Sequence, residues 1–200
     1  MVINSSGADV ALSAWIDESV VVGNDQRPGL YTLAAVIAGH AALDGLREDM
    51  QALTERKVVR LHWVAESTKR RDVIAEVIAG LSIVAIVVAG SPVHRQKQER
   101  ARRCCLERLL YELDQFGVSD AWLESRAPAQ DKRDRSLVDS ARRKGLLSRR
   151  LSIGFARPLQ EPMLWLPDAV AGSVTAAHLG EPRWLLALSE LTAVHRLTVR

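Results

Sequence analysis

Runs of apolar residues, some continuous and some broken by polar positions, divide the chain into short strands and longer helices. Residues 11–16 and 30–38 are apolar and are joined by a polar loop that contains Gly and Pro, which predicts an antiparallel pair of strands. Residues 82–88 are nearly all β-branched, which is typical of a strand buried on both faces in the middle of a sheet. Three further strands are predicted at residues 57–63, 121–124 and 151–155.

Apolar residues at three- and four-residue spacings predict the helices. The predicted helices span residues 41–53, 67–79, 92–116, 130–144 and 162–178. The second is expected to turn Val73 inward, and the third has an apolar stripe from Cys105 to Leu113 and ends at Gly117. Pro167 is expected to interrupt the last helix. Early antiparallel strands followed by strands that alternate with helices predict an α/β fold, a mixed sheet with helices on both faces.

Composition adds limits on size and compartment. The chain has 200 residues, 48% hydrophobic and 26% charged, so we expect one domain that spans all of it and encloses a sizeable core. Cys104 and Cys105 are neighbours and cannot join distant segments, which indicates reduced thiols of a cytoplasmic protein. The N-terminus has no secretory signal. The one candidate membrane span, residues 73–90, contains Glu76 and is broken at Gly80, so no membrane partner is predicted.

The net charge of +3 conceals two strongly basic segments. Residues 93–108 hold six Lys and Arg against two Glu, and residues 131–150 hold eight against three Asp. The first 26 residues, by contrast, contain four acids and no base. Basic helices around an acidic centre suit a polyanionic partner such as nucleic acid. The alternative is that each basic run is simply a solvated helix face.

Asp17 and Glu18 follow directly after the first predicted strand. Adjacent carboxylates at the end of a buried strand are costly unless a cation lies beside them, and a divalent metal would supply that charge. The alternative is that Asp17, Glu18 and Ser19 begin a turn in which Asp17 caps backbone donors. The sequence contains no glycine-rich phosphate loop, no nucleophile elbow and no paired-histidine zinc motif, so carboxylates are the remaining candidates for chemistry.

Four segments carry a resemblance to a known family. They are WIDES followed some ten residues later by GLYTLAAVIA, then RLHWVAES at 60–67, LSIVAIVVAG at 81–90 and PMLWLPDAVAGSV at 162–174. Together they resemble the DUF3800 family of small bacterial proteins over most of the chain. The last segment is similar to a family helix in which an Asp lies among apolar and small residues. Two positions depart from the family pattern, because Val20 replaces its usual Gly and Glu124 replaces its Asp near the end of a later strand.

The resemblance implies an RNase H-like fold with a carboxylate metal site. In nucleases of that fold, Asp and Glu residues are expected to hold two Mg²⁺ or Mn²⁺ ions, and oxygen ligands suit such hard cations. By position, the resemblance implicates Asp17, Glu124 and Asp168 as catalytic residues and metal ligands. Glu18 and Glu66 are weaker candidates for the same metal site.

Each of these residues also has a structural interpretation. Asp168 follows Pro167, so its carboxylate could complement the N-terminal dipole of a helix. Glu124 is followed by Arg126, and the two could form a surface ion pair. His62 lies four residues before Glu66 and could contact a phosphate, although we favour a structural role for it.

The basic segments supply candidate phosphate contacts. These are Arg95, Lys97, Arg102, Arg103, Arg142, Arg143 and Lys144. Such contacts position a nucleic acid and carry little base information. An aromatic content of 4% argues against a single-strand platform built from stacked rings.

Two functions from different classes follow. The first is a divalent-metal-dependent nuclease or phosphodiesterase, a hydrolase acting on nucleic acid. The second is a catalytically inactive RNase H-like module that binds nucleic acid or a protein, which the departures at Val20 and Glu124 motivate.

Overall fold

The computed structural model describes residues 11–24, 26–54 and 59–199. In this part of the chain, six strands form one mixed sheet in the order β5-β4-β1-β2-β3-β6. The strands are β1 (Leu12–Val21), β2 (Leu30–Gly39), β3 (Val84–Ser91), β4 (Asp120–Glu124), β5 (Ser152–Ala156) and β6 (Thr192–Thr198). The helices are α1 (Leu43–Ala52), α2 (Thr68–Ala79), α3 (Gln98–Phe116), α4 (Pro128–Arg143), α5 (Trp165–His178) and α6 (Arg183–Ala187). Short 3-10 turns occupy His40–Ala42, Trp63–Ala65, Arg95–Lys97 and Pro162–Leu164.

The strand directions bring several helix starts to one edge of the sheet. β2 is antiparallel to both β1 and β3, whereas β4 is parallel to β1, β5 to β4 and β6 to β3. The carboxyl ends of β1, β3, β4, β5 and β6 therefore lie at the same edge. Because α3, α4 and α5 follow β3, β4 and β5 in the chain, these helices begin near that edge, where their N-terminal dipoles favour anions.

Two apolar cores lie on the two faces of the sheet, as the predicted mixed sheet with helices on both faces requires. Alternate residues of β1 serve each core, since Trp15 packs into one and Ile16 into the other. The first core includes α1, α2, α5 and α6, and the second includes α3 and α4. The apolar stripe predicted for residues 105–113 is buried in the second core.

Three sequence-based expectations are wrong. The strand predicted at residues 57–63 is absent over its described part, 59–63, where the chain is irregular and enters the 3-10 turn Trp63–Ala65, while β2 pairs with β1 and β3. The first strand does not end at Ile16 but continues to Val21, opposite Leu30. Pro167 does not interrupt a helix, because it lies in the first turn of α5, where its missing amide hydrogen costs nothing.

Smaller differences have clear causes. Val73 is exposed, since α2 turns Ile74, Ala75 and Ile78 toward the core instead. Val20 lies inside β1 opposite Tyr31, where a β-branched residue suits the strand and no turn requires glycine. The strand predicted at 82–88 and the short strand that ends at Glu124 are confirmed as β3, which is paired on both sides, and β4. The helix predicted from Pro92 ends at Gly117 as expected but begins only at Gln98, after the 3-10 turn Arg95–Lys97.

Candidate carboxylate site

A pocket of about 220 Å³ opens where β4 stops and β1 continues. Pairing between these two strands ends at Ile16 and Leu123, so Asp17 and Glu124 come next on each strand. The pocket is lined by four acids, four bases and six apolar residues. These are Asp17, Glu18, Glu124 and Asp168; Arg60, His62, Arg102 and Arg126; and Ile16, Leu33, Leu61, Pro158, Leu164 and Trp165.

Asp17 is the most perturbed group in the pocket. Burial raises the pKa of its carboxyl well above the usual range, and the negative charges of Glu124 and Asp168 raise it further. A hydrogen bond with Glu124 acts in the same direction, while Arg102 lowers the pKa by a smaller amount. Asp17 Oδ1 also accepts a hydrogen bond of 2.7 Å from the Glu18 amide. The three predicted carboxylates are therefore close enough to repel one another, and a proton or a cation is needed to relieve that repulsion.

Asp168 of α5 holds the segment that precedes α2 through hydrogen bonds. It lies in the first turn of α5, and its Oδ2 accepts hydrogen bonds from the Trp63 amide at 2.8 Å and from His62 Nδ1 at 3.2 Å. The hydrogen bond to Asp168 is the main cause of a raised pKa for His62. Arg71 holds the same segment by donating to the carbonyls of Trp63 and Val64 at 3.0 and 3.1 Å. His62 is thus a neighbour of the carboxylates, and the structural role that the sequence favoured stays a prediction.

Glu18 has a different environment from Asp17, although both line the pocket. Its carboxylate is bound by Arg102 and by the Tyr31 hydroxyl. Arg102 is buried, 4% exposed, and its other nitrogens bind Asp134 of α4, with Nη2 to Oδ2 at 2.7 Å. Arg126 reaches the same aspartate at 3.2 Å. Glu18 is therefore neutralised from the α3 and α4 side, and its role as a metal ligand stays a prediction.

Two other expectations change at this site. Glu66 lies outside the pocket lining and pairs with Arg70 at 3.4 Å. The ion pair considered for Glu124 does not form, because Arg126 binds Glu99 and Asp134 instead.

The predicted phosphate contacts separate into buried and exposed residues. Arg102 is buried in its ion pairs, and partly buried Arg142 donates to the Leu151 carbonyl at 2.6 Å, so both already have partners within the protein. The exposed ones are Arg95, Lys97, Arg103, Arg143 and Lys144. Arg103 and Lys144 line a groove of about 1130 Å³ between α3 and α4, together with Arg100, Lys132 and Arg133. Arg102 lines both this groove and the carboxylate pocket.

Sequence reasoning missed two bases of the pocket. Arg60 lies two residues before His62, and Arg126 lies two residues after Glu124. A basic residue at such spacing from a candidate acid is the only sequence signal for either, because the pocket forms between segments that are far apart in the chain.

The described residues include neither a ready-made metal site nor a membrane-spanning helix. Among them, no three His, Cys, Asp or Glu side chains are arranged as a ready-made metal site. None of their helices is long and apolar enough to cross a membrane.

Comparisons with known proteins bear on the fold. No family model matches the chain, and no curated protein matches it. Among solved structures, the chain is similar to ribonuclease HII in the PCNA:RNase HII complex from Archaeoglobus fulgidus, with a TM-score of 0.50 and 15% sequence identity. The match covers 90% of this chain and 77% of that one. The fold is therefore RNase H-like, as the sequence predicted.

Proposed function

We propose that this protein is a divalent-metal-dependent nuclease and a member of the DUF3800 family. The observation that supports the activity is the meeting of Asp17, Glu124 and Asp168 in one pocket. They come from β1, β4 and α5, and the pKa of Asp17 is raised by burial and by the other two carboxylates. Perturbed carboxyl groups that converge in a cleft are typical of functional sites.

The residues present fit Mg²⁺ or Mn²⁺. Carboxylate oxygens are the ligands that these hard cations prefer, and Asp17, Glu124 and Asp168 would hold them. Bound ions of this kind supply a nucleophilic hydroxide and stabilise negative charge on phosphate oxygens. Repulsion from Glu124 and Asp168 contributes to the raised pKa of Asp17, and a bound cation would remove that repulsion.

The protein's own side chains would orient the substrate around these carboxylates. Arg60 forms no ion pair with any described residue and lines the pocket, so its guanidinium is available to a phosphate. His62 Nδ1 is held against Asp168, and its raised pKa keeps the imidazolium populated to higher pH, where it can neutralise a second oxygen. Leu164 and Trp165, both buried, form an apolar wall that excludes water from one side of the pocket.

The groove between α3 and α4 supplies the second part of the proposal. Arg100, Arg103, Lys132 and Lys144 line it and form no ion pair within the described chain. The lining of α4 runs from Ala129 to Lys144, which corresponds to about 22 Å along the helix axis at about 1.5 Å per residue. Because Arg102 lines both spaces, the groove and the carboxylate pocket are neighbours, and a nucleic-acid backbone seated in the groove would lie close to the carboxylates.

A cleavage assay tests the enzymatic proposal. Labelled DNA, RNA and hybrid would be incubated with Mg²⁺ or Mn²⁺ and wild type, Asp17→Asn, Asp168→Asn or Asp139→Asn. Asp139 is exposed on α4 and outside both cavities, so its variant controls for the loss of one negative charge. We expect cleavage by wild type and the control only. Cleavage that survives Asp17→Asn unchanged would show that Asp17 is not required, and no cleavage of any substrate would leave the inactive binding module as the better account.

A salt series tests the groove separately. If Arg103 and Lys144 neutralise phosphates, the Arg103→Gln/Lys144→Gln variant should bind duplex DNA more weakly. Its slope of log affinity against log salt should be shallower by about two, at roughly 0.9 per contact. The Arg149→Gln/Arg150→Gln variant removes two exposed charges outside the groove and should match wild type. Equal slopes in all three proteins would exclude the groove as a phosphate track.

A further inference from the structure

Trp122 differs from the other tryptophans of the protein. Trp15, Trp63, Trp165 and Trp184 are between 1% and 4% exposed, whereas Trp122 is 39% exposed. The core therefore accounts for four of the five rings, while Trp122 keeps part of its surface open to solvent. A large aromatic side chain left at the surface beside a candidate site is a common feature of binding surfaces.

The ring lies on the same face of the sheet as the carboxylates. Trp122 pairs with Trp15 in β1, and Asp17 and Glu124 each follow two residues later in their own strands. Because side chains alternate along a strand, all four point to the face covered by α5 over β1 and β2. Two residues of strand separate Trp122 from Glu124, which is about 7 Å at about 3.4 Å per residue. That spacing is on the scale of one nucleotide of an extended chain.

Gly154 allows the ring to lie over the neighbouring strand. It is paired with Trp122 in β5, and a Cβ built there would come within 2.5 Å of Cε3 and Cζ3 of the ring. Any side chain at position 154 would therefore push the indole away from the strand. With glycine present, one part of the ring rests on the strand backbone while the side chain stays 39% exposed.

The ring has both apolar and polar neighbours on its face of the sheet. Trp15 and Gly154 lie beside it in β1 and β5, while Asp120 and Glu124 lie on either side of it along β4. A single indole between two acidic side chains of its own strand offers a π-face of limited area rather than a broad apolar patch for a protein partner. Such a face fits a nucleobase, because stacking on an aromatic ring tolerates any base.

We propose that Trp122 is a stacking site for the base of a nucleotide next to the phosphate that meets Asp17, Glu124 and Asp168. The inference rests on the proposed function and specifies its substrate: a strand with at least one unpaired base at the carboxylate pocket. It also qualifies the argument from aromatic content, since one ring at the right place is sufficient for one base.

Binding of short single-stranded oligonucleotides, with Ca²⁺ in place of Mg²⁺ to limit cleavage, tests the proposal. Trp122→Ala should weaken binding by about 5- to 150-fold, the range expected for the loss of one base–aromatic stack. Trp122→Phe keeps a ring and should retain most of the affinity. Gly154→Ala leaves Trp122 in place but displaces its ring, so it should weaken binding in the same direction.

An oligonucleotide of the same length in which all bases are removed separates stacking from phosphate contacts. Wild type and Trp122→Ala should bind this abasic strand equally. Unchanged affinity of Trp122→Ala for the normal strand, or an equal loss on both strands, would overturn the stacking site while leaving the nuclease proposal intact. If wild type binds neither strand, the proposed function fails and the stacking site fails with it. Thermal melting of each variant controls for misfolding.

Discussion

Gly172→Ala should destabilise the protein and loosen the carboxylate site, because Gly172 lies one helical turn after Asp168 in α5 and packs against Trp63, whose amide donates to Asp168. Gly172 is buried in α5, and a Cβ there would lie 2.1 Å from Cδ1 of Trp63 and 2.6 Å from its Cγ and Nε1. Carbon atoms in contact are normally about 3.5–4.0 Å apart. The indole would therefore have to retreat by more than one ångström.

The surroundings of Trp63 leave little room for that retreat. Its ring is 3% exposed and packs edge-to-face against Trp184 with 5.3 Å between ring centroids, while the Arg71 guanidinium lies 5.5 Å away. Its backbone is also fixed, because the Trp63 amide donates to Asp168 at 2.8 Å. Movement of the ring is thus expected to disturb the hydrogen bond that orients Asp168.

The magnitude follows from three contributions. Overpacking costs about 1–3 kcal/mol, loss of a hydrogen bond to a charged group costs about 1.5–3 kcal/mol, and the higher helix propensity of Ala returns about 1 kcal/mol. The free energy of unfolding should fall by about 1.5–5 kcal/mol, which lowers the melting midpoint by about 3–20 °C for a domain of this size.

Chemical and thermal denaturation would measure this loss, with Gly45→Ala as the matched control. Gly45 is exposed in α1 and a Cβ there would meet nothing within 4 Å, so the same substitution should raise stability by up to about 1 kcal/mol. Gly172→Ala should also reduce the stabilisation that Mg²⁺ or Mn²⁺ gives, because Asp168 loses a donor that orients it. A Gly172→Ala protein as stable as Gly45→Ala would refute the packing argument.

Three further predictions concern charge. In the metal-free protein, the pKa of Asp17 is higher in the folded than in the unfolded state, so its contribution to stability is present at low pH and is lost as pH rises through the folded pKa. Asp17→Asn should therefore melt at a higher temperature than wild type at neutral pH. A lower melting midpoint would contradict the raised pKa. Asp168→Asn should lower the pKa of His62, since their hydrogen bond is what raises it, and an unchanged histidine titration by NMR would exclude that cause. Arg102→Met should lower the free energy of unfolding by about 3–5 kcal/mol, because Glu18 and Asp134 lose a buried partner. Chemical denaturation would measure this change. If Arg149→Met, at an exposed position, lowered the free energy of unfolding by a similar amount, the ion pairs of Arg102 would not be the cause.

The elements that the sequence predicted well are those with strong local signals. The hairpin of β1 and β2, the C-terminal end of α3 at Gly117 and the buried strand β3 all follow from periodicity and a stop residue. The strand predicted at 57–63 failed because local composition does not reveal that β3 would occupy the edge of β2. The residues around Trp63 pack instead on α5, against Gly172, a contact between positions more than one hundred residues apart.

The candidate site shows the same division. Asp17, Glu124 and Asp168 were found through the family resemblance, and their side chains face one pocket. The roles of Glu18 and Arg102 could not be found that way, because they depend on Asp134 and Tyr31, which α4 and β2 bring to them. Arg60 and Trp122 were missed because only their neighbours in the folded protein, and not the adjacent sequence, indicate a role for them.

The contrast between Asp17 and Glu18 bears on whether the carboxylate cluster is structural. The two residues are adjacent in β1, and both line the same pocket. Glu18 has a buried arginine and a tyrosine hydroxyl as partners, so the fold can neutralise a carboxylate here. Asp17 instead faces Glu124 and Asp168, and Arg102 only partly offsets them. The backbone amides of Glu18 and Trp63 donate to Asp17 and Asp168, but an amide carries no net charge. The carboxylates therefore still repel one another, a cost that a bound cation would convert into a gain. In a site built for a cation, Mg²⁺ should stabilise wild type but not Asp17→Asn. Without metal, the same substitution should instead raise the melting midpoint above that of wild type.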